Sequence, residues 1–458
     1  MASSAADKTV GNKTSEQREG STVSILGCGR NGILHACLFV EAGFKVICFD
    51  SDRALAESVS KAEVPFLKNK VEPILRRGLD SGRLTVSTIL EEISAQSRIA
   101  IVTTSAIVNE KGRIDYSNIE KTLKQFGRNL QEDTLIIIAS TVGVGVTESF
   151  LKEILESVSG LKSGIDFYFT YSPVPFPEEQ TLSGLASLRR IVAAKDRKSL
   201  EKASSVISVV TRTPLIKTLD VKAAEAAVLF EAAHKNTDFA LTNEFAVFCE
   251  KTGIDYFAVQ KLWTDRNGTP MQPALNCCSG NEAVLMLLED AENQNVKFRV
   301  SAAALELNKE ALKHAVSLVH EALKSCGKPL RRAKIAVLGV SQTRNLGDTP
   351  KSSLKKFIEM LKDKGVKLSL YDPYFSNKPS AELELTFIKR SLTEAAEGAD
   401  CIVIFTGHDQ FKRLNLRKLR LLAKMPAAIV DFEGVLDLKK VEDEGFIYRG
   451  LGRGLWKK

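Results

Sequence analysis

The residues best suited to chemistry lie near the start of the chain. Gly27-Cys28-Gly29-Arg30-Asn31-Gly32 matches the pattern G-x-G-x-x-G. It follows the apolar run 22–26 and opens a helical stretch that ends at Gly43. Asp50 closes the next apolar run. In this setting the three glycines have separate uses. Gly27 allows a tight turn, Gly29 lets the backbone approach a pyrophosphate, and Gly32 lets helix and strand pack closely. The helix start, Arg30 and Asn31 with Gly32, offers unpaired N–H groups to the anion. Asp50 stands 23 residues after Gly27, where a carboxylate accepts hydrogen bonds from ribose hydroxyls and repels a 2′-phosphate. That favours NAD over NADP, and Arg53 weakens the preference slightly. Thr141 lies in the loop after apolar run 134–140, where its hydroxyl can meet the nicotinamide side of NAD.

A second candidate lies in the middle of the chain. Ser279-Gly280-Asn281-Glu282 forms a capping box ahead of the apolar run 283–288. Cys278 therefore sits just before a helix N-terminus, a place that lowers a thiol pKa and favours thiolate. It is the candidate nucleophile. The competing reading makes Cys277 and Cys278 small core residues. His408, in a loop after a strand, and Asn243-Glu244, on a long helix, read as structural.

The elements that must position these groups alternate. Strands are expected at 22–26, 44–49, 98–102, 134–140, 166–170 and 190–194, most of them separated by helical stretches. This is βαβ order and implies a mostly parallel sheet. Pro214 to Gly253 contains no Gly or Pro between its ends, and its apolar residues recur at helical spacing, so a helix of about 30 residues is expected. A second long helix is expected over 297–325. Alternation resumes at Lys334, with a strand, a helix over 351–364 and a further strand ending at Asp372. The order strand, Gly339, helix, Gly365, strand, Asp372 echoes the start of the chain. The fold class is α/β: an N-terminal Rossmann domain, a central helical spine and a second Rossmann-like α/β domain. The expected divisions are a tail at 1–20, an NAD-binding domain at 21–212, a central helical domain at 213–326 and a C-terminal domain at 327–458.

Composition narrows the class. The 458 residues are 44% hydrophobic and 26% charged, which excludes a mainly disordered or collagen-like chain. No apolar run reaches the roughly 18 residues of a membrane helix, and the first twenty residues lack the apolar core of a secretory signal. Eight cysteines without a C-x-x-C pair fit reduced thiols in a cytoplasm, and no metal site is expected. The net charge of +8 is weak over this length. Its dense patch, 412–424, interleaves basic residues with leucines. It reads as a solvated helix face with an apolar side, and no motif supports nucleic-acid binding.

Taken together, several segments resemble the UDP-glucose / UDP-N-acetylmannosamine dehydrogenase family, from about residue 22 to 454. They are ILGCGRNG with GFKVICFD, VEPIL at 71–75, NEKGRIDYSNI at 109–119, STVGVG at 140–145, YSP at 171–173, NEFAVFCEKTGID at 243–255, YDPY at 371–374, GHDQFKRL at 407–414 and YRGLGR at 448–453. The resemblance implies oxidation of a sugar C6 alcohol to a carboxylate in two NAD-dependent steps, with a cysteine capturing the aldehyde and a thioester being hydrolysed. It also implies an N-terminal NAD domain, a C-terminal domain for the UDP-sugar and a homodimer through the central helices.

The same alignment shows departures. Val174 stands where the family has a glutamate, Val228 where it has a lysine and Ala232 where it has an asparagine. The paired glycines before the nucleophile are absent. Cys278 is the nearest thiol, while an ungapped count from Ala291 puts Ser279 there. The family's following aspartate falls on Glu282 or Ala283. Gln342 and Thr343 replace a Phe-Lys pair, Pro350 replaces an arginine, and Glu433 replaces a late basic residue. Lys235, two turns beyond Val228, is about 10 Å away along the helix. Two readings follow: an NAD-dependent dehydrogenase of UDP-sugars, or a catalytically inactive NAD- or nucleotide-binding homologue with a regulatory or scaffolding role. A two-electron dehydrogenation without the cysteine is a third.

Overall fold

The computed structural model describes residues 22–64, 71–109, 112–175, 181–263, 272–275, 281–345, 347, 350–375 and 388–454. The chain packs as two compact units, Met1–Ala233 with Glu282–Lys297, and His234–Asn281 with Phe298–Lys458.

In the first unit the strands are β1 (Thr22–Leu26), β2 (Lys45–Phe49), β3 (Leu84–Ser87), β4 (Ile99–Val102), the pair β5 (Ile107–Val108) and β6 (Ile114–Asp115), β7 (Leu135–Ile138), β8 (Tyr168–Tyr171), β9 (Ile191–Ala194) and β10 (Ile216–Thr218). Eight of them form one sheet in the order β10-β9-β8-β7-β4-β1-β2-β3. All pairings in it are parallel except β8 with β9. Strands β4 and β7, IAIV and LIII, are buried at every residue, as expected where helices cover both faces of a parallel sheet. The order reverses between β1 and β4. A ligand crevice opens outside the carboxyl ends of the strands at such a reversal.

The first helix, α1 (Arg30–Glu41), buries Ile33, Leu34, Cys37 and Phe39 against the sheet. Next comes α2 (Arg53–Ser60), capped by Asp52, whose carboxylate accepts from the Ala54 and Leu55 N–H groups. Three further helices matter below: α3 (Ser117–Gly127), α4 (Lys152–Ser159) and α5 (Val221–Thr252). A short π-helical turn, 147–151, runs into α4. The 32-residue α5 meets the expectation of a long uninterrupted helix, and its residues 221–233 belong to the first unit. One helix, α6 (Asn281–Asn293), comes from far along the chain, yet its residues from Glu282 onward pack with the first unit.

The second unit has a five-stranded parallel sheet, β11 (Lys334–Leu338), β12 (Lys367–Tyr371), β13 (Cys401–Ile404), β14 (Ala428–Asp431) and β15 (Ile447–Gly450), in the order β12-β11-β13-β14-β15. The helix α7 (Arg299–Ser325) buries Leu312, Val316, Val319 and Leu323 in a core shared with Phe357, Phe405 and Phe432. The ring centroids of those phenylalanines lie 5.2–5.9 Å apart. In the basic segment, the helix α8 (Leu416–Leu422) buries Leu419, while Lys412 and Arg417 pair with Asp409 and Glu444.

Strands β14 and β15 are not among the expected strands, and β3, β5, β6 and β10 escaped the sequence reading because they are short. Each of these four is two to four residues long and mixes apolar with polar or exposed positions. That leaves no apolar run to recognise.

Candidate active site

At the turn after β1, Gly27 has φ +117°, and a Cβ there would lie 2.9 Å from the Thr104 nitrogen. A Cβ on Gly32 would lie 1.8 Å from the Gly27 carbonyl oxygen. A Cβ on Gly29 would meet nothing within 4 Å. So two glycines serve internal packing, and the third borders open space where a ligand can approach the backbone. Asp50 follows β2 and is half-buried. Its Oδ2 accepts the Cys28 N–H at 2.7 Å and its Oδ1 accepts the Asp52 N–H at 2.9 Å. Arg30, Asn31 and Gly32 form the first turn of α1. The Asn31 amide nitrogen donates to the Ala139 carbonyl at 3.4 Å, and its Oδ1 is buried without a partner among the described residues.

Beneath this turn lies a buried polar cluster that sequence reasoning missed. His35 Nδ1 donates to the Asn31 carbonyl at 2.9 Å, which leaves Nε2 to accept from Arg190 Nη1 at 3.1 Å. Arg190 Nη2 donates to the Ser172 carbonyl and hydroxyl at 2.9 and 3.0 Å. Burial, with the Arg190 charge, lowers His35 to about 3, and burial alone lowers Arg190 to about 10. Arg190 has no carboxylate partner among the described residues. The only sequence signal was an arginine directly before an apolar strand.

The third group surrounds the loop after β7. Ser140 Oγ donates to the Thr104 carbonyl at 2.7 Å. Thr141 is half-buried at the carboxyl end of the sheet. The next backbone N–H groups are taken by side chains: Gly143 by the Tyr116 hydroxyl at 2.9 Å and Val144 by Asp290 Oδ2 at 2.7 Å. Glu225 accepts from Gly145 at 2.5 Å and from Thr147 at 2.8 Å. Glu225 was legible only as one acid in the apolar stripe 221, 224, 228, 232 of α5, and Asp290 not at all.

Three family models match the chain in order: the NAD binding domain of the UDP-glucose/GDP-mannose dehydrogenase family over 21–211, its central domain over 222–310 and its UDP binding domain over 336–438. The chain belongs to the UDP-glucose/GDP-mannose dehydrogenase family. A UDP-N-acetyl-D-mannosamine dehydrogenase of Pyrococcus horikoshii is 25% identical, over 94% of this chain and 99% of that one. A UDP-glucose 6-dehydrogenase of Bacillus subtilis is 25% identical over 94% and 93%. The solved structure of a UDP-D-ManNAc dehydrogenase from Pyrococcus horikoshii shares the fold, with a TM-score of 0.81 and 24% identity over 95% of this chain and all of that one. Residues 21–211 are thus an NAD-binding domain. The turn fits that cofactor: its one unfilled glycine face and a half-buried carboxylate at the end of β2 lie where a dinucleotide needs them.

The departures of this family member are packed tightly. Val174 is 1% exposed and lies in the first unit's core cluster. Val228 and Ala232 are 3% and 4% exposed on α5. Pro350 pairs in a bridge with Ser341, and the adjacent Lys351 Nζ meets Glu433 Oε1 at 3.0 Å. Cys278, the candidate nucleophile, lies outside the described residues, as do Cys277 and Ser279. Glu282 is exposed at the start of α6. Among the described residues no group of three or more His, Cys, Asp or Glu is placed to hold a metal, and no helix is long and apolar enough to cross a membrane.

The second unit repeats the device of the first with a different filling. Asp372 follows β12 as Asp50 follows β2. Its Oδ2 accepts from the Val340 and Ser341 N–H groups at 2.7 and 2.9 Å, and from the Ser341 hydroxyl. A Cβ on Gly339, the turn glycine, would lie 2.3 Å from the Thr406 carbonyl oxygen.

Proposed function

We propose that the protein is an NAD-dependent oxidoreductase that converts the C6 alcohol of a UDP-sugar to a carboxylate. The observation that carries this reading is the turn 27–32 with Asp50, inside a chain that matches the family's NAD, central and UDP binding domains in order. NAD, when bound, accepts hydride. Gly29, Arg30, Asn31 and Gly32 hold its pyrophosphate through backbone N–H groups. Gly27, whose own N–H donates to the Phe49 carbonyl, makes the turn that presents them. Asp50 holds the adenosine ribose, and Thr141 lies on the nicotinamide side. Cys278 is the proposed nucleophile. The divisions 21–212, 213–326 and 327–458 remain our reading of the domains. Phe230, Leu241 and Phe248 on α5 are 53%, 45% and 62% exposed, which supports a homodimer through the central helices. We place the protein in the cytoplasm.

A second reading is favoured by one specific observation. Val174, Val228 and Ala232 bury apolar side chains where the family has an acid, an ammonium and an amide. A valine neither transfers a proton nor stabilises an oxyanion. On that reading the chain binds NAD or nucleotide without turnover. One experiment separates the two: the protein is given NAD and a panel of UDP-sugars, with NADH followed at 340 nm and binding by calorimetry. Two NADH per sugar, abolished in Cys278→Ala, establishes the dehydrogenase. NAD binding with no turnover on any sugar establishes the inactive homologue.

A further inference from the structure

The loop 140–147 is held in an unusual way. Four of its backbone N–H groups, at 143, 144, 145 and 147, point at side chains from three separate parts of the chain. Tyr116 immediately precedes α3, Glu225 is on α5, and Asp290 is on α6. Consecutive free amides at a helix start form a concavity that attracts anions. Here two of the protein's own carboxylates fill it. Glu225 is fully buried and chelates two amides with its two oxygens. The fit is close: a Cβ on Gly143 would lie 3.0 Å from both Asp290 carboxylate oxygens and 3.1 Å from the Tyr116 hydroxyl. The same helix α6 also holds the β5–β6 hairpin, through Glu289 to the Ile114 N–H at 3.0 Å and Glu292 to Arg113 at 2.8 Å.

The sheet order tells which half of the cofactor this loop meets. Asp50, at the end of β2, marks the adenosine side, and the turn after β1 marks the pyrophosphate. The order β7-β4-β1-β2 then carries the remaining half over the ends of β4 and β7. Loop 140–147 follows β7 directly. We propose that Asp290, with Glu225 and Tyr116, acts as a positioning residue that holds this loop as the wall of the nicotinamide half-site. None of the three side chains touches the cofactor. They fix the backbone that carries Thr141, and two charge-assisted hydrogen bonds to Glu225 and one to Asp290 make the wall stiff. The proposal rests on the reading that the first unit binds NAD.

The test compares NAD with ADP-ribose, which lacks the nicotinamide. Full-length wild type, Asp290→Ala, Asp290→Asn and Tyr116→Phe are titrated with each ligand by calorimetry. Asp290→Ala is expected to weaken NAD about ten-fold, the effect of one charge-assisted hydrogen bond, and to leave ADP-ribose within about two-fold. Asp290→Asn keeps an acceptor for the Val144 N–H and restores most of the loss. Tyr116→Phe removes only the acceptor for Gly143 and shows the same split in milder form, so the outcome does not hang on the folding of Asp290→Ala. Equal losses for both ligands, or no loss for either, overturn the positioning role while leaving NAD binding intact. A wild type that binds neither ligand overturns the cofactor reading itself, and the proposal with it.

Discussion

The carboxylate of Asp372 accepts the Nε2–H of His408 at 2.9 Å, and both side chains are closed to solvent. The tautomer is fixed, because His408 Nδ1 accepts the Asn345 N–H at 2.9 Å. Burial opposes ionisation of Asp372, but the hydrogen bond from His408 and the N–H groups of Ser341 and Tyr374 outweigh it, so its carboxyl titrates below the ordinary range. His408→Ala leaves that carboxylate short of a donor and should destabilise the second unit by about 2–4 kcal/mol. The stability gained from Asp372 is present above about pH 4 and lost as pH falls through its depressed value. Thermal midpoints measured from pH 5 to pH 3 should fall less steeply in His408→Ala than in wild type.

Gly29→Ala and Gly32→Ala should separate binding from folding. The Gly29 site has room for a methyl group, whereas at Gly32 the methyl would overlap the Gly27 carbonyl. Gly29→Ala is expected to keep the wild-type melting temperature and to weaken NAD by about ten-fold or more, because the methyl occupies the pyrophosphate's approach. Gly32→Ala is expected to cost at least about 2 kcal/mol of stability, since helix or turn must shift. Scanning calorimetry with and without NAD reads both effects.

Asp50→Ser should change the choice of cofactor. The carboxylate is anchored by the Cys28 and Asp52 N–H groups, so its charge cannot swing away from an approaching 2′-phosphate. Removing it should lower NAD affinity and raise that for NADP, moving their ratio by about ten-fold or more. Titration with the two cofactors measures the ratio. An unchanged ratio would show that Asp50 only shapes the turn.

His35 and Asp431 should give the acid stability curve opposing slopes. Burial and the Arg190 charge hold His35 at about 3, against an ordinary value of 6.5. Its contribution is complete above 6.5 and is lost as pH falls toward 3. Burial pushes Asp431 up to about 6 from 3.8, although N–H groups of Leu436 and Glu433 oppose this. Its neutral form therefore favours the fold, and that contribution is lost as pH rises through 6. Urea midpoints across this range should fall less on acidification in His35→Gln, and less on raising the pH in Asp431→Asn.

How much was legible depended on whether a residue acts through its own segment. The glycine turn could be read because its meaning is local: spacing fixes the turn, and the next strand ends on Asp50. The long helix 221–252 showed itself by an absence of Gly and Pro and by periodicity. The family resemblance likewise rested on ordered local segments. The loop clamp could not be read, since Tyr116, Glu225 and Asp290 are far apart in sequence and meet only through tertiary packing. Arg190 was hidden for a similar reason: an arginine at a strand edge is ordinarily solvated, and only the fold brings it under α1.

The return of α6 to the first unit bears on how the protein is made. A ribosome releases residues 22–233 well before Glu282–Lys297 emerge. Until then the β5–β6 hairpin lacks Glu289 and Glu292, and the Val144 N–H lacks Asp290. The cofactor domain therefore completes late, after most of the central segment has been synthesised, and an amino-terminal fragment ending near residue 212 would carry the glycine turn without the finished wall opposite it.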